Sequence, residues 1–248
     1  RALHRPPRRR GAGEVEGLML FGIEWDTSSD LAFAISIIPI LLRGMWITIQ
    51  ATALGFVIAI VLGLVFALLR MVPLRIVSWP VAFFLEFVRD TPLLVQLFFL
   101  YFVLPEYGIV LPAFLTGAIA LGLQYCGYTA EVYRAGLEAV PRGQYEAARA
   151  LNLPVLVTFR DVIVPQAIPR IVPALGNYLV SMLKDTAILS AVTVLEMLHV
   201  GRIIGDRTFR YFVPLTMVGG LYLILTLISS QIVRFVEMRL PKQGIPLK

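Results

Sequence analysis

From Gly44 to Leu69 the chain carries no charged residue, and the run closes on Arg70 and Arg75. About 20 consecutive apolar residues are enough for a helix to cross the hydrocarbon of a bilayer. This run meets that length and commits the chain to a membrane. Four further stretches extend the pattern. Pro80–Leu104 carries Glu86, Arg89 and Asp90 early and then turns apolar, and Tyr107–Ala130 is uncharged. Ile171–Leu183 is interrupted by Lys184 and Asp185 and resumes to Leu195, and Tyr211–Val233 is uncharged until Arg234. The expected fold is therefore all-α, a membrane protein with about five transmembrane helices. Composition agrees: 58% of residues are hydrophobic and 15% charged, against about 25% charged in an ordinary soluble domain.

The flanks are different in character. Residues 1–18 are basic, contain Pro and Gly, and show no apolar period, so they are expected to be a disordered or non-native tail. Residues 19–43 are expected to form an interfacial lead-in, because Leu31–Leu42 is too short to span and contains Pro39. The membrane domain then covers 44–240, and 241–248 is a C-terminal tail. Lys and Arg are enriched on the cytoplasmic side of membrane proteins. If the first span ends inside, that side receives Arg70, Arg75, Arg89, Arg134, Arg142, Arg149, Arg160, Arg170, Arg234, Arg239, Lys242 and Lys248. The other side keeps Arg43, Arg202, Arg207 and Arg210, together with the five arginines of the tail at 1–18, which argue the other way. This places the N-terminus outside and the C-terminus in the cytoplasm. The net charge of +6 is then a matter of topology and anionic lipid, not of nucleic acid.

One long polar segment interrupts the apolar pattern, Glu131 to Pro165. It is rich in helix formers and reads as a helical pair broken at Pro141-Arg142-Gly143. The second helix is expected to begin near Gln144 and to end at Asn152, the best non-glycine residue for a left-handed position after a helix. Pro154 reinforces the stop.

Glu146-Ala147-Ala148, followed by Asn152, Val162, Val164 and Pro165, resembles the loop signature of ABC-importer permeases. That signature reads Glu-Ala-Ala, three residues, Gly, nine residues, Ile-x-Leu-Pro. Asn152 stands where Gly is usual, and the two valines keep apolar bulk. VRDTPLLVQLFFLYF (88–102), YTAEVYRAGLEAVPRGQYEAA (128–148), LKDTAILS (183–190) and RTFRYF (207–212) resemble the polar amino-acid subfamily, with Asp90 in place of Gly. Permeases for histidine, glutamine, arginine, cystine, opines and ectoine-like solutes fall in that subfamily. The resemblance implies a type I ABC importer permease fold whose cytoplasmic loop helix fits a groove on a separate ATPase. Arg142, Gly143, Gln144, Glu146, Ala147, Ala148, Asn152 and Pro165 would carry that coupling. Ala147 and Ala148 would permit close approach, and Glu146 would supply a charged contact. The implied partners are two ABC ATPase subunits, a second permease subunit, identical or paralogous, and an extracytoplasmic solute-binding protein.

The chain has no G-x-x-x-x-G-K-[ST] with which to cradle nucleotide phosphates. It is expected to be a transport subunit that binds no cofactor, with ATP used by the partner. Two histidines and one cysteine leave little for a metal centre or a disulfide framework. Charges inside a membrane are costly unless paired or wet, and so they mark function by default. Asp185 is the best candidate to line the substrate pathway, because an ammonium or guanidinium group needs a carboxylate partner there. Lys184, Thr186, Gln96, Gln124 and Tyr128 are further candidates, with helix–helix hydrogen bonding as the competing role for each. A stand-alone secondary transporter or channel is the alternative, although that class often shows paired repeat halves and none is visible.

Overall fold

The computed structural model describes residues 19–20, 23–26 and 28–240. The expectations for the tails at 1–18 and 241–248 lie outside the described residues. Two short strands, β1 (Met19–Leu20) and β2 (Ile23–Glu24), pair antiparallel ahead of the first helix.

Helix α1 (Asp30–Met71) is continuous. The Ser29 hydroxyl accepts from Ala32 N at 3.1 Å, and Asp30 in the first turn suits the positive end of the helix dipole. The lead-in expected at 19–43 is therefore not a separate segment; most of it belongs to this helix. Pro39 is absorbed inside it, because membrane helices tolerate the lost hydrogen bond when neighbours pack around it. At 1.5 Å per residue its 42 residues extend about 63 Å, well beyond a hydrocarbon core of about 30 Å.

The second expected span is two helices, not one. Helices α2 (Arg75–Asp90) and α3 (Leu93–Phe98, prolonged by a π turn and a 3-10 turn to Tyr107) meet at 102°. Pro92 supplies no N–H and pushes Thr91 into extended backbone, which ends α2. Helix α4 (Ala113–Glu138) begins later than the uncharged run at Tyr107, after the left-handed Gly108 and Pro112, and continues past Glu131. The loop helix α5 (Arg142–Ala150) and the short turn α6 (Val155–Val157) follow. A π turn then leads into α7 (Val164–Asp185). The fourth expected span breaks where its charges fall: α7 ends at Asp185, a 3-10 segment runs Thr186–Val192, and α8 (Met197–Thr208) leaves at 46° to the preceding helical stretch. Helix α9 (Phe212–Arg239) closes the chain.

Among the described residues α1 and α9 can each cross a membrane alone by length and composition, and the two bent pairs bring the count to at most four, against the five expected, because α4 is not among them. Helix α4 sits at the centre, packed by α1, α2 and α7. Its contact with α1 depends on small residues: a Cβ at Gly63 would meet the Thr129 hydroxyl at 2.0 Å, and one at Gly122 would meet Ile58 at 2.4 Å. Small residues let membrane helices approach closely, and the Thr129 hydroxyl uses that closeness to donate to the Ala59 carbonyl at 2.7 Å. At one end of the bundle Asp30 pairs with Arg210, whose guanidinium lies 5.4 Å over the Phe33 ring.

Candidate functional site

The polar loop forms the expected helical pair, with one adjustment. Pro141 is the N-cap, so α5 starts at Arg142, two residues before Gln144. Proline suits that position because the N–H it lacks would be unsatisfied there in any case. Asn152 adopts φ 52, and Asn152 N and Leu153 N close back on Arg149 O and Ala148 O at 2.9 and 3.0 Å. This is the left-handed helix stop that the residue type implies.

The loop helix is tied to the membrane helices. The Gln166 amide donates to Gln144 at 3.2 Å and to the Val162 carbonyl at 2.9 Å, and Arg170 donates to the Ala139 carbonyl. Beneath the loop, Leu137, Val140, Ile163, Ala167 and Ile171 form one apolar cluster, with Tyr145 and Phe159 packed on it. Arg142, Gly143, Gln144, Glu146 and Ala147 are all exposed. Ala148 is not: it is 2% exposed, because helical periodicity turns it inward with Tyr145. Close approach by a partner is thus left to Ala147, a correction to the expectation for Ala148. Pro165 is built into the first turn of α7, where its missing N–H costs little. Sequence reasoning missed the most telling part of this surface. Leu151, Val155 and Leu156 are 73%, 87% and 77% exposed on an otherwise polar loop. The signal was available, since apolar residues beside a left-handed stop and a proline have no core to enter.

Where the loop begins, Glu131 receives Arg70 of α1 at 3.2 Å and Arg134 Nε at 3.0 Å, while Arg134 also pairs with Glu138. The hydrogen bonds from Arg134 hold the Glu131 carboxyl below the usual carboxylate range, and the charges of Arg70 and Arg89 add to this.

Among the substrate-pathway candidates, Gln96, Gln124 and Tyr128 come together. The Gln96 amide donates to the Val88 and Thr91 carbonyls at 2.7 and 3.3 Å and meets the Gln124 amide at 2.7 Å. Gln124 reaches the Tyr128 hydroxyl at 3.4 Å. This chain of amides satisfies the last carbonyls of α2 at the 102° break. Asp185 lies on a second polar group: the Tyr125 hydroxyl donates to it at 2.7 Å, and Tyr125, Tyr128 and Tyr178 stand ring to ring at 5.3 to 6.1 Å. Lys184 is separated from its neighbour Asp185, and faces an apolar groove with Leu215, Gly219 and Tyr222. Thr186 is buried, donates to the Leu183 carbonyl at 2.6 Å, and lies 3.4 Å from the Tyr222 hydroxyl. Tyr222 in turn donates at 2.8 Å to Glu196, a fully buried carboxylate that caps α8 through Leu198 N and His199 N. Tyr125, Tyr178 and Glu196 were not singled out from sequence. Glu196 was the detectable one, as an isolated acid between two apolar stretches.

Residues 55–242 match the family described as binding-protein-dependent transport system inner membrane component. The chain belongs to that family. It is 62% identical to an amino-acid ABC transporter permease protein of Sinorhizobium fredii, y4tG, over 93% of this chain and 100% of that one. The arginine transport system permease protein ArtQ of Bacillus subtilis is 34% identical over 85% of this chain and 97% of its own. Among solved structures, an amino acid ABC transporter with histidines superposes with a TM-score of 0.80 at 37% identity, covering 87% of this chain and 100% of that one. The MetNI methionine ABC transporter in an inward facing conformation shares the fold, with a TM-score of 0.69 at 21% identity over 83% and 98% of the two chains. This permease is thus an all-α membrane subunit of an importer with the type I architecture, and the stand-alone transporter reading gives way to a subunit of a larger machine.

Proposed function

We propose that this permease is the transmembrane subunit of an ATP-driven importer that takes a polar amino acid, or a similar small zwitterion such as ectoine, from a solute-binding protein across the inner membrane. The amino-acid class rests on y4tG, ArtQ and the solved amino acid transporter, each named for such solutes. The N-terminus lies outside, and the C-terminus and the loop at 131–165 lie in the cytoplasm. ATP is hydrolysed by two partner ATPase subunits, and a second permease subunit, identical or paralogous, completes the pathway. The chain itself is a transport component without a nucleotide site.

The observation that carries the coupling role is the surface of α5 and its flanks. Exposed Leu151, Val155 and Leu156 surround a short helix presenting Glu146 and Ala147. Apolar side chains left in water on a rigid support mark a docking surface. A rigid support also transmits motion that a flexible loop would absorb. The mutual ties Gln166–Gln144 and Arg170–Ala139 pass the motion of α5 to α7 and α4. Asp185, Tyr128, Gln96 and Gln124 are the proposed polar lining, with Lys184 and Thr186 as flanking groups. The test is reconstitution with the ATPase and binding protein in proteoliposomes. Uptake of a labelled polar amino acid should require external binding protein and internal ATP together. Uptake by the permease alone would refute the proposal.

A further inference from the structure

Arg70 and Arg134 both pair with Glu131, and Arg89 on a third helix acts on it through its charge. Arg70 on α1 lies 3.2 Å away and Arg134 on α4 donates through Nε at 3.0 Å. Arg89, at the end of α2, runs across Gly127, one helical turn before Glu131 on the same face of α4. A Cβ at 127 would lie 2.6 Å from Arg89 Cγ, so glycine is what admits the arginine there. Arg134 is shared between Glu131 and Glu138, and Glu131 in turn is shared between Arg134 and Arg70. The Nε of Arg89 is buried and has no hydrogen-bond partner among the described residues. A buried donor without an acceptor is costly, and more so on a charged group. Such a group in a native structure calls for an explanation, and a second arrangement that pairs it is one. Arg89 also stands at the 102° break between α2 and α3, so a change at that break carries it along α4.

We propose that Glu131 is the shared carboxylate of a two-position ionic joint, held by Arg70 in the arrangement seen here and taken by Arg89 in the other arrangement of the transport cycle. Arg134, on the same helix, accompanies Glu131 in both. Arg89 and Glu131 are positioning residues, since neither has to touch the solute. The inference rests on the reading that the 131–165 loop drives the cycle, because Glu131 is where that loop leaves the membrane. Movement of α5 then reaches α1 and α2 in alternation through one carboxylate.

The test uses the complete transporter, with its ATPase and binding protein, in proteoliposomes. Arg89→Gln should lower the solute moved per ATP hydrolysed about tenfold, with permease abundance and ATPase co-purification unchanged, and Arg89→Lys should restore part of the loss. In a Cys126→Ser background, a cysteine pair at 89 and 131 should crosslink faster in one nucleotide state, and a pair at 70 and 131 faster in the opposite state. If Arg89→Gln fails to reach the membrane, the two cysteine pairs decide alone. Nucleotide-independent crosslinking of both pairs, or a normal solute-to-ATP ratio for Arg89→Gln, overturns the joint. Loss of the ATPase from the unaltered permease would instead strike the coupling-loop reading.

Discussion

The Tyr125 hydroxyl donates a 2.7 Å hydrogen bond to Asp185 and so joins the middle of α4 to the end of α7. Both helices also frame the loop at 131–165, from Glu138 and Val164. The polar group best suited to meet a cationic part of a solute is therefore mechanically continuous with the loop proposed to receive the ATPase.

Asp185→Asn keeps the size of the side chain and an acceptor for Tyr125 but removes the charge. Uptake of a cationic or zwitterionic amino acid should fall at least about tenfold, since a charge-assisted contact in a low-dielectric site contributes on the order of 1.5–3 kcal/mol. Tyr125→Phe removes only one neutral donor and should cost less. Initial uptake rates in proteoliposomes, normalised to assembled complex, separate the two.

Glu146→Lys and Leu156→Asp each alter the exposed face around α5 without touching the cluster beneath it. Both should leave the permease in the membrane while weakening retention of the ATPase about tenfold or more, as loss of an interface anchor does. Co-purification from detergent extracts reads this directly.

Much of this organisation was legible from residue order. The uncharged runs fixed the membrane class, and Pro141, Asn152 and Pro154 fixed the ends of the loop helix. Breaks within spans were less legible. Periodicity does not show that Thr91–Pro92 turns the chain by 102°, because apolar residues continue on both sides. Nor does it show that α1 absorbs Pro39, since the neighbours that compensate lie far away in sequence. The pathway candidates were named one by one. Only folding shows that Gln96 and Gln124 brace the α2–α3 break, and that Asp185 answers to Tyr125 while Lys184 turns away.

Asn152 holds a positive φ that glycine adopts freely and β-branched residues resist. Asn152→Gly should preserve transport. Asn152→Val should cost about 1–2 kcal/mol locally, fraying the end of α5 and lowering transport more than membrane abundance. Limited proteolysis near residue 152 would reveal the fraying.

Gly63→Val would drive a side chain into Thr129, whose hydroxyl already bonds Ala59 across the α1–α4 seam. Overpacking of this kind costs about 1–3 kcal/mol. The permease should unfold in detergent at a clearly lower temperature, a shift that thermal fluorescence-detected size exclusion can follow.

Glu196→Ala removes the acceptor of Leu198 N, His199 N and the Tyr222 hydroxyl. Stranding buried donors costs about 1–3 kcal/mol each, so folded yield should drop. Glu196→Gln keeps one acceptor oxygen, enough for Leu198 N and the Tyr222 hydroxyl but not for His199 N, and should recover part of it.

The most direct test of the coupling role is the side of the membrane on which α5 lies, and what covers it. A cysteine at Gly143 enters open space, and the native Cys126 is buried and should stay silent. A membrane-impermeant thiol reagent should label Gly143→Cys in inside-out vesicles, not in intact cells, and added ATPase should protect it. Labelling in intact cells, or labelling in vesicles that the ATPase leaves unchanged, would contradict the assignment.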